Sequence, residues 1–284
     1  MPTTSVYPAS ISQETASKQL FHFFNTHKKC LILTGAGIST GSGIPDYRDH
    51  QGQWKRRQPV QHEDFMTQPA VRQRYWARAL AGFEAFRSAR PGIGHQALAL
   101  LEQQGLVHHL VTQNVDRLHQ KAGSRKVIDL HGRGDTVSCQ QCGFRSMRYA
   151  YHQQLAELNP EFSEFKAQPA PDGDADLERN DFHLFQVPAC PRCAGIIKPD
   201  VVFFGGLIPQ AVRQAAEQAL EEADALLVVG SSLMVYSGYR FCRLAKQKGK
   251  TLAALNLGKT RADEILDLKI QASVDQALQP FIVI

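Results

Sequence analysis

Four of the six cysteines fall into two tight pairs, Cys139-Gln-Gln-Cys142 and Cys190-Pro-Arg-Cys193, with 47 residues between them. Whatever fold this chain adopts must bring the two pairs to one point. Two C-x-x-C knuckles supply four thiolates, the closed tetrahedral shell of a structural Zn2+ with no open position for water. Two separate redox pairs are the alternative that the spacing favours less. Cys30 and Cys242 sit alone beside apolar residues. This is the cysteine usage of a metal site in a reducing compartment, not of a disulfide framework. A metal so enclosed holds an insertion together and performs no chemistry.

At 284 residues the chain is long enough for a main domain carrying a smaller one. The formal charge of +5, from 32 Lys and Arg against 27 Asp and Glu, is modest and scattered along the sequence. It argues against nucleic acid as the main ligand and leaves room for an anionic cofactor or a negatively charged substrate. The first twenty residues lack the basic start and apolar run of a secretory signal, and no stretch approaches the roughly 20 apolar residues of a membrane span. A soluble cytoplasmic protein with no membrane partner is the expectation. No feature demands an oligomer, so a monomer is expected too.

Residues Ile11–His27 read as a helix with Leu20, Phe23 and Phe24 on one side, and the apolar run Lys29–Thr34 follows as a strand. Further apolar runs lie at His109–Asn114, Lys126–Leu130, Val201–Phe204, Ala225–Gly230 and Leu252–Leu257, with helical patterns at Gln96–Gln104 and Gln210–Glu222 between some of them. Strands covered on both faces and alternating with helices indicate an α/β fold, a Rossmann-like, mostly parallel sheet. A smaller zinc-binding domain would be formed by insertions. Residues 1–45, 90–135 and 200–284 are assigned to the Rossmann-like domain, 46–89 to a helical insertion with a cofactor loop, and 136–199 to the zinc-binding insertion. The Pro- and Asp-rich stretch Phe165–Phe182 reads as a surface loop.

The strand at Lys29–Thr34 runs into Gly35, Gly37, Gly41 and Gly43. Bare backbone there would admit a pyrophosphate, although a glycine cluster after a strand is also simply a turn. Ser39, Thr40 and Ser42 lie between the glycines, and Pro45 interrupts any helical continuation. This departs from a dehydrogenase and suggests a loop that covers its ligand. Gln113, Asn114 and Asp116 crowd the carboxyl end of a strand, where open α/β sheets bind ligands, though Asp116 could merely cap the next helix. His131, just past another strand, titrates near neutral pH and is a candidate base or a structural histidine.

The pieces "GAGIS", "GIPDYR", "TQNVDRLH", "HG", the paired cysteines, "KPDVVFFG", "GSSL" and "NLG" occur in this order. Together they resemble the sirtuins, the family of NAD-dependent protein-lysine deacylases, over about Ser12 to Val283. The wording "VVFFGG", "GSSLMVYSGYRF" and "RQRYWARAL" is most similar to the class II branch that includes the mitochondrial lipoamidase-type sirtuin. The resemblance implies that Gly35, Ala36, Gly37, Ser39 and Arg48 belong to the NAD-holding loop, with Asp46 and Arg48 anchoring its movement and Tyr47 beside nicotinamide. Gly230, Ser231 and Ser232 would surround phosphate and ribose, and Asn256 and Gly258 the adenosine half. Gln113 would order the site, Asn114 would meet the ribose, Asp116 the carboxamide, and His131 would be the general base.

In the implied reaction NAD+ is a consumed co-substrate: nicotinamide leaves, the acyl-lysine oxygen attacks the ribose, and the products are free lysine and 2'-O-acyl-ADP-ribose. The implied partners are acylated-lysine proteins, held as an added strand against Val201, Phe203 and Gly205. Gly206 stands where the family commonly carries an acid. Tyr75 and Arg78, i and i+3 on a helix, resemble the pair that binds acidic acyl groups in the desuccinylase branch. The alternatives are a protein ADP-ribosyltransferase and a non-catalytic ADP-ribose-binding module.

Overall fold

The computed structural model describes residues 10–55, 59–163, 173–175, 177, 179 and 181–282. Among them nine strands occur in chain order: β1 Cys30–Thr34, β2 Val107–Thr112, β3 Val127–Asp129, β4 Gly132–Cys139, β5 Arg145–Met147, β6 Ile197–Val201, β7 Ala225–Val229, β8 Thr251–Leu255 and β9 Leu268–Ile270. Six form a parallel sheet in the order β3-β2-β1-β7-β8-β9, and three form a second sheet in the order β5-β4-β6.

Every residue of β1 and β7 is buried, which is why "CLILT" and "ALLVV" carry apolar side chains without alternation. On one face Ile32, Leu227 and Val229 meet Leu20, Phe23 and Phe24 of the helix Gln13–Thr26 and Leu98 of the helix Ile93–Gln103. On the other, Leu31, Leu33, Leu226 and Val228 meet Leu220 of the helix Gln210–Glu222 and Phe241 of the helix Tyr236–Gln247. The Ser12 hydroxyl accepts the Thr15 N–H and starts the first helix at Gln13, two residues inside the expected boundary. From β1 the sheet grows outward through β2 on one side and β7 on the other. The strand order therefore reverses between β1 and β7, and a crevice opens beyond their carboxyl ends.

One expected strand of the main sheet belongs elsewhere. Val201–Phe204 is the end of β6 and the chain beyond it, and β6 pairs antiparallel with β4 in the small sheet. Val201 and Phe203 are apolar because they enter a second core, not because helices cover them on two sides. That core joins Tyr75, Trp76 and Phe86 of the helix Pro69–Ser88 to Phe65, Tyr151, Leu155 and Phe162.

The Pro- and Asp-rich stretch also departs from expectation where the structure describes it. Positions 164–172, 176, 178 and 180 lie outside the described residues, but Asp174 and Ala175 are buried against the helix Pro69–Ser88. The contact is so close that a Cβ on Gly82 would stand 2.4 Å from the Asp174 carbonyl oxygen. The fully buried Arg148 donates to the carbonyls of Gly134 and Gly173 and ties the segment to β4.

The small sheet gathers the four cysteines. Cys139 ends β4 opposite Ile197 at the start of β6. The Cys139 and Cys193 sulfurs are 3.4 Å apart, those of Cys142 and Cys190 3.6 Å, and all four lie within 4.8 Å of one another. Tetrahedral Zn–S bonds of about 2.3 Å require sulfurs about 3.8 Å apart, so the four thiols fit a structural Zn2+. The N–H groups of Gln141 and Arg192 approach the sulfurs of Cys139 and Cys190 at 3.4 and 3.5 Å, supporting thiolate charge. Among the described residues no helix is long and apolar enough to cross a membrane.

Metal analysis of the purified protein is expected to give one zinc per chain, and Cys190→Ser to give almost none. Limited proteolysis of that variant should then open the segment between Cys139 and Cys193 first. Full zinc retention by the variant would refute the four-thiolate site.

Candidate active site

A cleft of about 780 Å3 lies beyond the carboxyl ends of β1, β2, β7 and β8, between the large sheet and the second core. The loop after β1 forms its floor. Gly35, Ala36 and Gly37 line it, and the chain continues through two short 3-10 turns, Ala36–Ile38 and Thr40–Ser42, instead of an α-helix. Gly37 donates its N–H to the Gly230 carbonyl at 2.8 Å. A Cβ on Gly37 would stand 2.8 Å from that oxygen, and one on Gly230, whose φ is +61°, would stand 2.5 Å from the Ile38 nitrogen. These glycines thus clear a path for a neighbouring backbone before they clear one for a ligand.

Ser39 is the polar centre. Its buried hydroxyl donates to Asp116 Oδ2 at 2.7 Å and accepts from Asn114 Nδ2 at 3.0 Å. Asn114 Nδ2 also reaches the Gly35 carbonyl at 3.1 Å. The other Asp116 oxygen accepts the Leu118 N–H at 2.9 Å, so this residue holds the chain turn and faces the cleft at once. Burial raises the Asp116 carboxyl from its ordinary range, opposed by the Leu118 and Ser39 hydrogen bonds and by Lys121 and Arg117.

Two histidines that sequence reasoning did not assign lie beneath. His95 Nε2 is 3.4 Å from the Ser39 hydroxyl, and His119 Nε2 is 3.0 Å from Thr34 Oγ1. Burial pushes His95 down to about 4 against the pull of Asp275, and pushes His119 well below the usual imidazole range, so both rings are neutral at neutral pH. The only signal of His95 in the sequence is a polar pair, His95-Gln96, in the otherwise apolar helix "IGHQALALL".

Gln113 joins the ends of β2 and β7: its Nε2 donates to Ser231 Oγ at 2.8 Å and to the Thr34 carbonyl at 3.2 Å. Its own carbonyl lies 3.0 Å from His131 Nδ1. A carbonyl only accepts, so Nδ1 carries the proton and Nε2 presents its lone pair. Ser237 Oγ donates to that Nε2 at 2.8 Å. Burial pushes His131 down to about 4, with the Gln113 carbonyl acting in the opposite direction. Ser237 lies in "MVYSGY", where nothing in the sequence singles out the hydroxyl that meets His131.

The remaining walls are distributed as follows. Asp46 pairs with Lys55 at 2.6 Å, and Arg48 donates to the Gly52 carbonyl at 2.7 Å while stacking 3.8 Å over Trp54, so both tie the covering loop to itself. Tyr47 stands edge-on to Trp54 and Phe204, with ring centres 6.1 and 6.3 Å away. Val201, Phe203 and Gly205 form the opposite side, fixed to the His131 backbone by the Val202 N–H, which donates to the His131 carbonyl at 2.8 Å. Ser231, Ser232, Asn256 and Gly258 line the far end, where Asn256 Nδ2 donates to the Gly258 carbonyl at 3.1 Å.

Tyr75 and Arg78 do not line the cleft. Tyr75 is 1% exposed and packs edge-on against Phe65, Trp76 and Phe203, one layer behind the cleft wall. Arg78 Nε donates to Asp174 Oδ1 at 3.1 Å and to the Ala175 carbonyl at 2.8 Å. The pair does share a helix face, but that face is turned into the second core and the buried 173–175 segment.

The cleft suits a dinucleotide in size and in chemistry, with bare backbone from two glycine loops for a pyrophosphate and the Asn114 amide and Asp116 carboxyl for sugar and amide groups. Comparisons with known proteins agree. The chain is 56% identical over 256 residues to the NAD-dependent protein deacetylase of Bordetella bronchiseptica, covering 90% of this chain and 93% of that one. It is 46% identical over 264 residues to the mitochondrial NAD-dependent protein lipoamidase sirtuin-4 of Bos taurus, covering 92% and 84%. A solved Sir2 structure with a p53 peptide and NAD+ matches with a TM-score of 0.73 at 31% identity, covering 94% and 97%. The Sir2 family model matches residues 35–237, from the first glycine of the cleft floor to the serine that meets His131, and the chain belongs to the Sir2 family.

Proposed function

We propose that this protein is an NAD+-dependent protein-lysine deacylase that converts an acylated lysine to free lysine, with nicotinamide and 2'-O-acyl-ADP-ribose as the other products. The observation that carries this reading is His131, a neutral imidazole held by its Nδ1–H with its Nε2 lone pair turned into a dinucleotide-sized cleft. The relatives' names, deacetylase and lipoamidase, support acyl-lysine as the substrate.

NAD+ supplies an electrophilic ribose carbon when nicotinamide departs. Ser39 holds Asn114 and Asp116 in one hydrogen-bonded group, so both present fixed polar atoms without reorganisation during the reaction. His131 Nε2 accepts a proton from a ribose hydroxyl, exchanging its bond from Ser237 for that contact. Tyr47, Trp54 and Phe204 place three aromatic rings where a closing loop excludes water. The zinc lies outside this chemistry.

Acyl preference follows from the same wall. Val201 and Phe203 are apolar, Tyr75 stands behind them, and Arg78 is engaged by Asp174. This supports uncharged acyl chains over acidic ones. The thiol-rich zinc site supports a reducing compartment, and a cytoplasmic location is part of the proposal.

A peptide panel carrying acetyl, butyryl, lipoyl, succinyl and glutaryl lysine, with NAD+ labelled in the adenylate, tests the reading by mass spectrometry. Uncharged acyl groups should leave at least about tenfold faster than acidic ones, with label in soluble acyl-ADP-ribose. Label fixed on protein would favour ADP-ribosyl transfer instead. His131→Ala should lower kcat by about 10²- to 10⁴-fold while NAD+ still binds.

The pH dependence has a definite sign. Because the His131 pKa is depressed from 6.5 to about 4, its basic form persists on acidification, and activity is lost only as pH falls through about 4. The unfolded chain binds protons at the ordinary imidazole value, so these neutral histidines also cost stability as pH falls from 6.5 toward 4. Rates taken in brief pH jumps, before unfolding, separate the two. An acid limb of kcat/KM centred near the ordinary imidazole value would refute the assignment.

A further inference from the structure

The mouth of the cleft is charged asymmetrically. Its lining carboxylates are Asp46, Asp49, Asp116 and Asp275, none of them from the wall built by residues 201–213 and 233–240. That wall contributes two cations instead, Arg213 from the helix Gln210–Glu222 and Arg240 from the helix Tyr236–Gln247.

Their local compensation is incomplete. Arg240 Nη2 donates to Glu217 Oε1 at 2.7 Å, whereas Arg213 Nε lies 3.9 Å from the same oxygen, beyond hydrogen-bond reach. The buried Arg213 Nε has no acceptor among the described residues. Two permanent guanidinium charges therefore share one carboxylate, and ten N–H donors between them greatly outnumber its lone pairs. Arg261, stacked 4.8 Å from the Tyr239 ring and 5.6 Å from the Tyr236 ring, adds a third positive charge behind this rim. Leu207 stands 92% exposed on the same wall, an apolar contact awaiting a partner chain.

We propose that Arg213 and Arg240 recognise a carboxylate of the protein substrate, carried by an Asp or Glu within two residues of the acylated lysine. This rests on the deacylase reading and adds the sequence class that the cleft selects. The position follows from helix geometry. Ser237 touches His131, and Arg240 lies three residues further along the same helix, on the same face about 5 Å away. An extended substrate advances about 3.4 Å per residue, so a side chain one or two places from the lysine falls beside the arginines. On the acyl reading above, a carboxylate at the tip of the acyl chain would instead lie against Val201 and Phe203, both buried.

The test uses labelled peptides centred on acetyl-lysine and flanked by acidic, neutral or basic residues, plus one neutral-flanked succinyl-lysine peptide. Binding is read by fluorescence anisotropy and turnover by mass spectrometry. Acidic-flanked peptides should bind about tenfold more tightly than basic ones at low salt, with the difference appearing in KM and shrinking as ionic strength rises. Arg213→Gln should bring the acidic-to-basic ratio close to one, Arg213→Lys should preserve the order, and Arg213→Glu should reverse it.

Equal binding of all flanks by the wild-type protein overturns this proposal, whether or not every peptide is turned over. A preference that depends on Arg213 but follows the succinyl group also overturns it, because the carboxylate then belongs to the acyl chain. Selective binding of acidic flanks without turnover of any peptide upholds the proposal while the deacylase reading falls.

Discussion

The contact between Gly37 and Gly230 is the constraint on which the cleft depends. Two loops leave adjacent parallel strands, β1 and β7, at the point where the sheet order reverses, and their backbones meet through a 2.8 Å hydrogen bond. With a side chain at either position the loops would separate, since no Cβ has room. Their closeness fixes where Ser39 emerges, and Ser39 in turn gathers Asn114 and Asp116. Gln113 repeats the connection one layer higher, from β2 to Ser231, and its carbonyl sets the tautomer of His131. The polar groups of the cleft are therefore positioned by strand ends that bring their loops together and by the hydrogen bonds among Ser39, Asn114 and Asp116.

Charge is sparse where chemistry is expected. His95, His119 and His131 are all neutral because burial disfavours the imidazolium, even though Asp275 pulls the other way at His95. A protonated His131 would have no lone pair on Nε2 to accept the Ser237 hydroxyl, and a charge on His95 would sit in a site that solvates it poorly. Desolvation thus trades base strength for availability: it lowers the imidazole pKa but keeps the Nε2 lone pair free of a proton across the physiological range.

The large sheet was legible in the sequence because its central strands are covered on both faces, so "CLILT" and "ALLVV" are continuous apolar runs. The same rule misassigned "VVFF". An apolar run reports that residues are buried, not which core buries them, and Val201 and Phe203 belong to the second one. The small sheet gave no signal, since β4 is "GRGDTVSC" and β5 "RSM", polar strands without alternation. All the proposed cleft residues other than Tyr75 and Arg78 line one cavity, whereas Arg78 meets Asp174, 96 positions away in a stretch that reads as loop. Such a partner carries no local pattern. Ser237 was hidden for a different reason: a hydroxyl on a helix has no periodicity to betray it, and its significance arises only from His131, 106 residues earlier.

The small sheet links the four-cysteine site to the cleft. β4 begins at Gly132, the residue after His131, and ends at Cys139, while β6 begins at Ile197, four residues beyond Cys193, and ends at Val201 in the cleft wall. One pair of strands thus has cysteines at or near one end, and His131 and the Val201 wall of the cleft at the other. Their pairing aligns Cys139 with Ile197 and Gly132 with Val201, with a register irregularity between. Because facing alternates residue by residue along a strand, a slip of one position would turn Val201 away from the cleft and remove the bond from Val202 to the His131 carbonyl. β4 presents few apolar side chains to resist such a slip. The four thiols resist it at the cysteine end: they lie within 4.8 Å of one another, and a Zn2+ held by them would fix the alignment of Cys139 with Ile197, leaving the irregularity between Gly132 and Val137 to set how Val201 meets the cleft.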